Sequence, residues 1–252
     1  MTARLARTIS SLAAVVLTAA CTNYYEIPIE TPIRPKLDVS AFQRVFVAGF
    51  IAGGSEDVDG NLETTRLLRS QLRTKSELRV IDADVLPLME VALEGRDGSN
   101  GDRGTQASAI KEDSDLEAYE HVFANVEYWK RIGEEYQQPL IVTGTVMFAP
   151  QARSGIVQRD QEVYDSFGRR RVVPVRTYME RKGFVLRPRF VFIDGRNGTI
   201  LHSENFREEI LYNANQTSPA LSSYFELMDR LIPSFLSTLS SQRIRGTRIL
   251  LQ

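Results

Sequence analysis

The chain has one cysteine and two histidines in 252 residues. A lone cysteine cannot close an internal disulfide, so the fold must be held by its core. The histidines, His121 and His202, have no partner at metal-ligand spacing, and no Gly-x-Ser-x-Gly elbow is present. Gly95 to Gly104 is glycine-rich but lacks the Gly-Lys-Ser/Thr ending of a phosphate loop. Asp57-Val58-Asp59-Gly60-Asn61 hints at a calcium loop, but no glutamate closes a twelve-residue loop, and a solvated turn with a helix cap explains it. These absences leave no constellation for catalysis, no cofactor site and no metal site. The chain is expected not to be an enzyme.

Charge of one sign is also missing: 31 basic residues face 32 acidic ones. That balance argues against a general nucleic-acid binder, which needs a basic excess. After residue 20 there is no apolar run approaching the roughly 20 residues that a membrane-crossing helix requires.

What is present begins at the N-terminus. Arg4 and Arg7 precede an apolar run, Leu12 to Ala20, too short to span a bilayer but laid out as a signal peptide over residues 1–20. Leu17-Thr18-Ala19-Ala20-Cys21 resembles the bacterial lipobox, with Thr18 where leucine is usual. The resemblance implies cleavage before Cys21 and lipid attachment to its thiol; the alternative is an ordinary leader cut at Ala19 or Ala20. Residues 21–39, with Pro28, Pro32 and Pro35, read as an extended tether. Tyr24, Tyr25 and Ile27 are apolar enough to pack on the domain or on the membrane interface. Thr22 follows the cysteine, where Asp would favour the inner membrane, so the outer membrane is the expected destination, the anchor facing the periplasm.

Residues 40–252 read as one α+β domain. Arg44 to Ile51 is a β-branched and aromatic strand, and Leu62, Leu67, Leu68 and Leu72 recur at helical spacing behind an Asn61 cap. Leu78 to Ile81 completes a strand–helix–strand unit with parallel pairing. Asp82 or Asp84 would cap a second helix through Leu93, with Pro87 in its first turn. Residues 94–114 form a long polar loop. A third helix is expected from Asp115 to Gln137, its apolar face including Leu116, Tyr119, Phe123, Val126, Trp129, Ile132 and Tyr136. Trp129 and Tyr136 fit the core better than a sugar-stacking platform. Leu140 to Phe148 is a strand. Two polar-alternating arms, Gly155 to Tyr164 and Arg171 to Glu180, flank a turn at Asp165-Ser166-Phe167-Gly168. Asn197-Gly198 signals a hairpin between strands 184–194 and 199–208. A last helix runs from Ala220 to Leu239, and Arg248 to Leu251 would add a short edge strand. The expected architecture is a mixed sheet with helices on one face, plus an extended antiparallel hairpin at about 155–181. Leu67, Leu72, Phe123, Ile141, Val142, Val191 and Phe225 are the expected core.

The opening strand Val45–Phe50, the helix with Leu67, Leu68 and Leu72, and the strand Leu78–Ile81 resemble the start of the curli-secretion lipoproteins (CsgG-like) and of the TolB N-terminal domain. Gly133-Glu134-Glu135-Tyr136 before Leu140–Val146, and Phe190–Gly195 with Gly198–Leu201, resemble those families' helix-to-strand step and closing hairpin. Gly144 would let a helix approach the sheet. The resemblance implies a periplasmic lipoprotein that assembles or scaffolds at the envelope, with an envelope protein or further copies of itself as partner. The alternative is a subunit of an oligomeric secretion channel whose hairpins cross the membrane. Against that, the 155–181 arms hold Arg159, Asp160, Glu162, Arg176, Glu180 and Arg181, and neither arm offers a clean apolar face. Arg169, Arg170 and Arg171 at the hairpin tip either touch anionic lipid or lipopolysaccharide or are simply solvated.

Overall fold

The computed structural model describes residues 24–94, 110–213, 216 and 218–251. Cys21, residues 1–20 read as a signal peptide, and most of the stretch 94–114 read as a polar loop lie outside them. The described chain divides into two compact units, residues 36–239 and a smaller one made of residues on either side of them.

The larger unit is an α+β fold. Its sheet has the order β3 (Arg79–Val80), β2 (Arg44–Gly54), β4 (Leu140–Tyr164), β5 (Arg170–Asp194), β6 (Ile200–Asn205), with β7 (Glu208–Asn213) also on β5. β2 pairs in parallel with β3 and β4, and β5 runs antiparallel to β4, β6 and β7. The strand–helix–strand reading of β2, α1 (Gly60–Lys75) and β3 therefore matches the structure, with β3 reduced to two residues.

Helices cover both faces of the sheet, not one. On one face Val45, Val47 and Phe50 of β2, with Val142, Val146 and Phe190, pack with Leu68 and Leu72 of α1 and with Tyr224, Met228 and Phe235 of α5 (Ala220–Leu239). On the other, Phe46, Ala48, Ile51, Ile141 and Val191 meet Leu88 of α2 (Leu88–Glu94), Leu116 of α3 (Asp113–Glu117) and Trp129 of α4 (Val126–Glu135). The cause is visible in β2 and β4, whose apolar residues occupy both parities, so both faces need cover.

In β2 the parity itself changes. Val45 and Val47 share a face with Phe50, not with Gly49, because the register to β4 shifts between Val47 and Gly49. Gly49 sits at φ +124°, a bulge conformation open to glycine. The buried Thr143 hydroxyl donates to the Gly49 carbonyl (2.9 Å), and the Asn61 side chain accepts from the Phe50 amide (2.7 Å). Asn61 thus fastens the bulge, while Asp59 caps α1 by accepting from Leu62 N–H (3.0 Å).

Other elements depart from expectation for local reasons. The second helix starts only at Leu88, so neither Asp82 nor Asp84 caps it. The third helix is broken into α3, a 3₁₀ turn at Glu120–Val122 and α4. Leu116, Tyr119 and Val122 recur every three residues, which buries all three in a 3₁₀-like course, and Asn125 then caps α4 through Tyr128 N–H (3.1 Å). Gly133 lies inside α4, where an added Cβ would sit 1.7 Å from the Gly195 carbonyl oxygen. Gly144 (φ +145°) admits the neighbouring strand, not a helix: a Cβ there would meet the Arg189 carbonyl of β5 at 1.8 Å. Leu72, Phe123, Ile141, Val142 and Val191 are buried as expected, whereas Leu67 and Phe225 only pack partly against the core.

The smaller unit is a two-stranded antiparallel ribbon of β1 (Tyr24–Ile33) and β8 (Gln242–Leu251), paired over ten rungs. β1 lies within the stretch read as a tether, and β8 extends the expected tail strand back to Gln242.

Candidate interaction surface

β4 and β5 each run for 25 residues, and only their inner parts belong to the covered sheet. β2 leaves β4 at Phe148, and β7 leaves β5 at Arg181. From Ser154↔Glu180 to Tyr164↔Arg170 the pair continues as a bare ribbon of eleven rungs. At about 3.4 Å per rung it reaches on the order of 35 Å past its last flanking strand. The sequence placed two separate arms at 155–164 and 171–180; the structure makes them continuations of the core strands, so their geometry is set by the sheet.

Register decides what each face displays. One face carries Val157, Arg159, Gln161 and Val163 beside Val173, Val175, Thr177 and Met179, with Arg171 at its outer end. The other carries Ile156, Gln158, Asp160, Glu162 and Tyr164 beside Arg170, Val172, Pro174, Arg176 and Tyr178. The valines of the two arms meet on the first face as a broken stripe, each across from a polar residue (Val157 from Thr177, Val175 from Arg159, Val173 from Gln161, Val163 from Arg171), while Ile156 is 73% exposed on the second.

The tip is locally specified. The Asp165 carboxylate accepts from the amides of Phe167 and Arg169 (both 2.9 Å), Gly168 adopts φ +73° and its amide donates to the Asp165 carbonyl (2.9 Å). Arg169 and Arg171 pair with Asp165 (3.4 and 3.8 Å), and Arg170 with Glu162 (3.1 Å). The three arginines singled out from sequence are thus divided, Arg169 and Arg171 beside Asp165 and Arg170 on the other face beside Glu162. Exposed pairs of this kind are worth little energetically, yet they cancel local charge and weaken the case for an anion-seeking tip. Phe167, 80% exposed under the Arg169 guanidinium, is the tip residue that sequence reasoning passed over.

Other sequence candidates resolve into structure. Trp129 is fully buried and donates to the Val122 carbonyl (2.8 Å), and Tyr136 stacks on Phe46. His121 bonds with the carbonyls of Ala118 and Ala92 (both 3.1 Å), and His202 faces Glu204 at 3.5 Å. Among the described residues no three His, Cys, Asp or Glu side chains gather as metal ligands. A cleft of about 460 Å³ is lined by Arg187, Arg189 and Arg207 against Asp113, Glu117 and Glu120, an internally balanced set. No described helix is long and apolar enough to cross a membrane.

No protein-family model matches this chain, and no curated protein matches it. Among solved structures it is similar to the lipoprotein GNA1162 from Neisseria meningitidis, at 12% identity over 77% of this chain and 97% of that one, with a TM-score of 0.34. A neuraminyllactose-binding hemagglutinin homolog from Helicobacter pylori aligns at 9% identity over 81% and 86%, with a TM-score of 0.33. A PDZ domain protein from Parabacteroides distasonis aligns at 10% identity over 94% and 41%, with a TM-score of 0.24. TM-scores this low mark slight likeness, and the resemblance to curli-secretion lipoproteins rests on the quoted sequence segments alone.

Proposed function

We propose that the chain is a lipid-anchored, non-catalytic assembly or scaffold component of the bacterial envelope, held in the outer membrane through Cys21 and presenting its β4–β5 arm to a protein partner. The observation that supports this reading most is the arm itself. A two-stranded ribbon is marginal alone in water, and this one displays a broken aliphatic stripe from Val157 to Met179 with no further described strand paired to it. Such a stripe suits a protein surface of matching shape, an envelope protein or another copy of the chain. Charge within both faces opposes a lipid environment, where Arg or Lys near the bilayer centre costs about 2–4 kcal/mol. That weighs against the second reading, a secretion-channel subunit.

Cross-linking in the intact envelope tests the proposal, comparing the native chain with one in which residues 156–178 are replaced by an Asn-Gly turn. Retained anchoring with loss of the cross-linked partner is the expected result. An unchanged set of cross-links would remove the arm from the partner interface. Closed rings in detergent that insert into bilayers and conduct would replace the scaffold reading by the channel.

A further inference from the structure

The β1–β8 ribbon alternates sharply. Ile27, Ile29 and Ile33 lie on one face, at 41%, 40% and 44% exposure, with Arg248 on the rung of Ile27. The opposite register positions are Tyr24, Glu26, Pro28, Glu30 and Pro32 with Leu251, Ile249, Thr247, Arg245 and Arg243, and Glu30 pairs with Arg245 (2.9 Å) and Arg243 (3.5 Å). Two strands form one layer, so an apolar face on them must find its cover elsewhere.

We propose that this ribbon is a membrane-contact element: its isoleucine face lies on the headgroup–acyl boundary of the leaflet that holds the lipid of Cys21. The inference rests on the reading of Cys21 as the anchor and adds a defined contact to it. Only Thr22 and Asn23 separate Cys21 from Tyr24. At no more than about 3.6 Å per residue, the start of the ribbon is kept within roughly 10 Å of the acylated residue. Neither rung nearest the anchor contains a charged residue; Tyr25↔Leu250 has the parity of the isoleucine face and Tyr24↔Leu251 that of the other, and tyrosine is a residue type enriched at membrane interfaces. Charge appears further along and is concentrated on the other face. Arg248, the one charge of the isoleucine face, has a long stem that can reach an anionic headgroup from that position.

A second copy fits the ribbon less well. Pro28 and Pro32, four residues apart, turn their nitrogens to the same side of β1, and an unbroken ten-rung ladder puts that side away from β8. The free edge of β1 therefore lacks two amide donors, which hinders edge-to-edge growth from one copy to the next.

The test uses the full-length lipidated chain in vesicles of phosphatidylethanolamine with a minority of phosphatidylglycerol. With Cys21 acylated, Ile29→Cys, Ile33→Cys and Glu26→Cys each provide a single free thiol for an environment-sensitive fluorophore. Labels at 29 and 33 are expected to shift to the blue and to be quenched several-fold more by brominated acyl chains than the label at 26. Equal quenching on both faces, or none at 29 and 33 while the protein still floats with vesicles, overturns the proposal and leaves the anchor standing. A blue shift that needs no vesicles and grows with concentration in Cys21→Ser assigns the face to a second copy instead. Labelling of Cys21 itself in the otherwise native chain, with failure to float, overturns both the anchor and the contact.

Discussion

The hydroxyl of Thr64 on α1 meets the hydroxyl of Tyr224 on α5 inside the core, with both side chains at 0% exposure. Tyr224 in turn donates to the carbonyl of Gly60 (3.2 Å), so Thr64 is the donor to the phenol oxygen. Two helices on one face of the sheet are thereby tied at a fixed register, Tyr224 packing edge-on against Phe148 beneath.

Tyr224→Phe should cost about 1–3 kcal/mol, because it leaves the Thr64 hydroxyl and the Gly60 carbonyl without that partner in a dry site. The alkaline limb provides a separate readout. Burial pushes the Tyr224 pKa well above its ordinary value, so the unfolded chain loses this proton first as pH rises past about 10. The folded state then binds more protons, and stability falls with rising pH. Tyr224→Phe should flatten that fall in denaturant melts between neutral and strongly alkaline pH; an unchanged alkaline slope would contradict the argument.

Asp194, 3% exposed at the end of β5, predicts the opposite limb. Its carboxylate accepts from Arg196 Nε (2.9 Å), Nη2 (2.7 Å) and backbone N–H (2.9 Å), and the arginine side chain foremost holds its pKa below the usual carboxylate value, against the opposing effect of burial. A depressed folded pKa gives stability that is fully present above about pH 4 and lost as pH falls through the folded value. Asp194→Asn should therefore be destabilised at neutral pH, and its deficit should shrink as the medium is acidified. A deficit independent of pH would show that the turn geometry, not the charge, is what matters.

Ile141→Ala on β4 should lose about 2–5 kcal/mol, with Val191→Ala on β5 smaller but in the same direction. Both are at most 1% exposed and lie in the cluster under α2, α3 and α4. The same comparison on Leu67 should give a smaller loss, since it is only partly covered. Thermal melts of the three variants would check the ranking.

These elements show which parts of the fold were legible in the sequence. Ile141, Val142 and Val191 were readable because long β-branched runs have one physical use, and α5 because its apolar spacing is regular from Ala220 to Leu239. Breaks were not readable. The α3–α4 interruption depends on Asn125 capping a new helix and on a three-residue period hidden inside a four-residue one. The bulge at Gly49 was not readable either; it moves Phe50 to the face opposite the one strict alternation would give it. β1 was masked by its prolines, which suit an edge strand but read as a tether, and its partner lies at the other end of the sequence. For the β4–β5 arm, turn and alternation were visible, whereas the merging of both valine sets on one face needed the register between Val157↔Thr177 and Val163↔Arg171.

That register sets the last expectation. Val173 and Val163 on the striped face are 42% and 43% exposed, and no other described strand flanks the arm from Ser154 to Glu180, so its side chains add little to the stability of the larger unit. The double change Val163→Asn, Val173→Asn should move stability by no more than about 0.5 kcal/mol per site, as is usual for exposed positions away from caps and buried networks. Amide exchange should separate the two regions of each long strand. Amides at 140–148 and 184–193 should be slow, exchanging only on global unfolding, whereas those at 156–164 and 170–178 should open locally in the soluble Cys21→Ser chain. In envelope preparations the arm amides should slow down, and the double change should abolish that slowing while leaving the inner strands untouched. Protection of the arm in the isolated soluble chain, equal to that of the inner strands, would mean that the ribbon is stable without a partner and that its stripe is already covered.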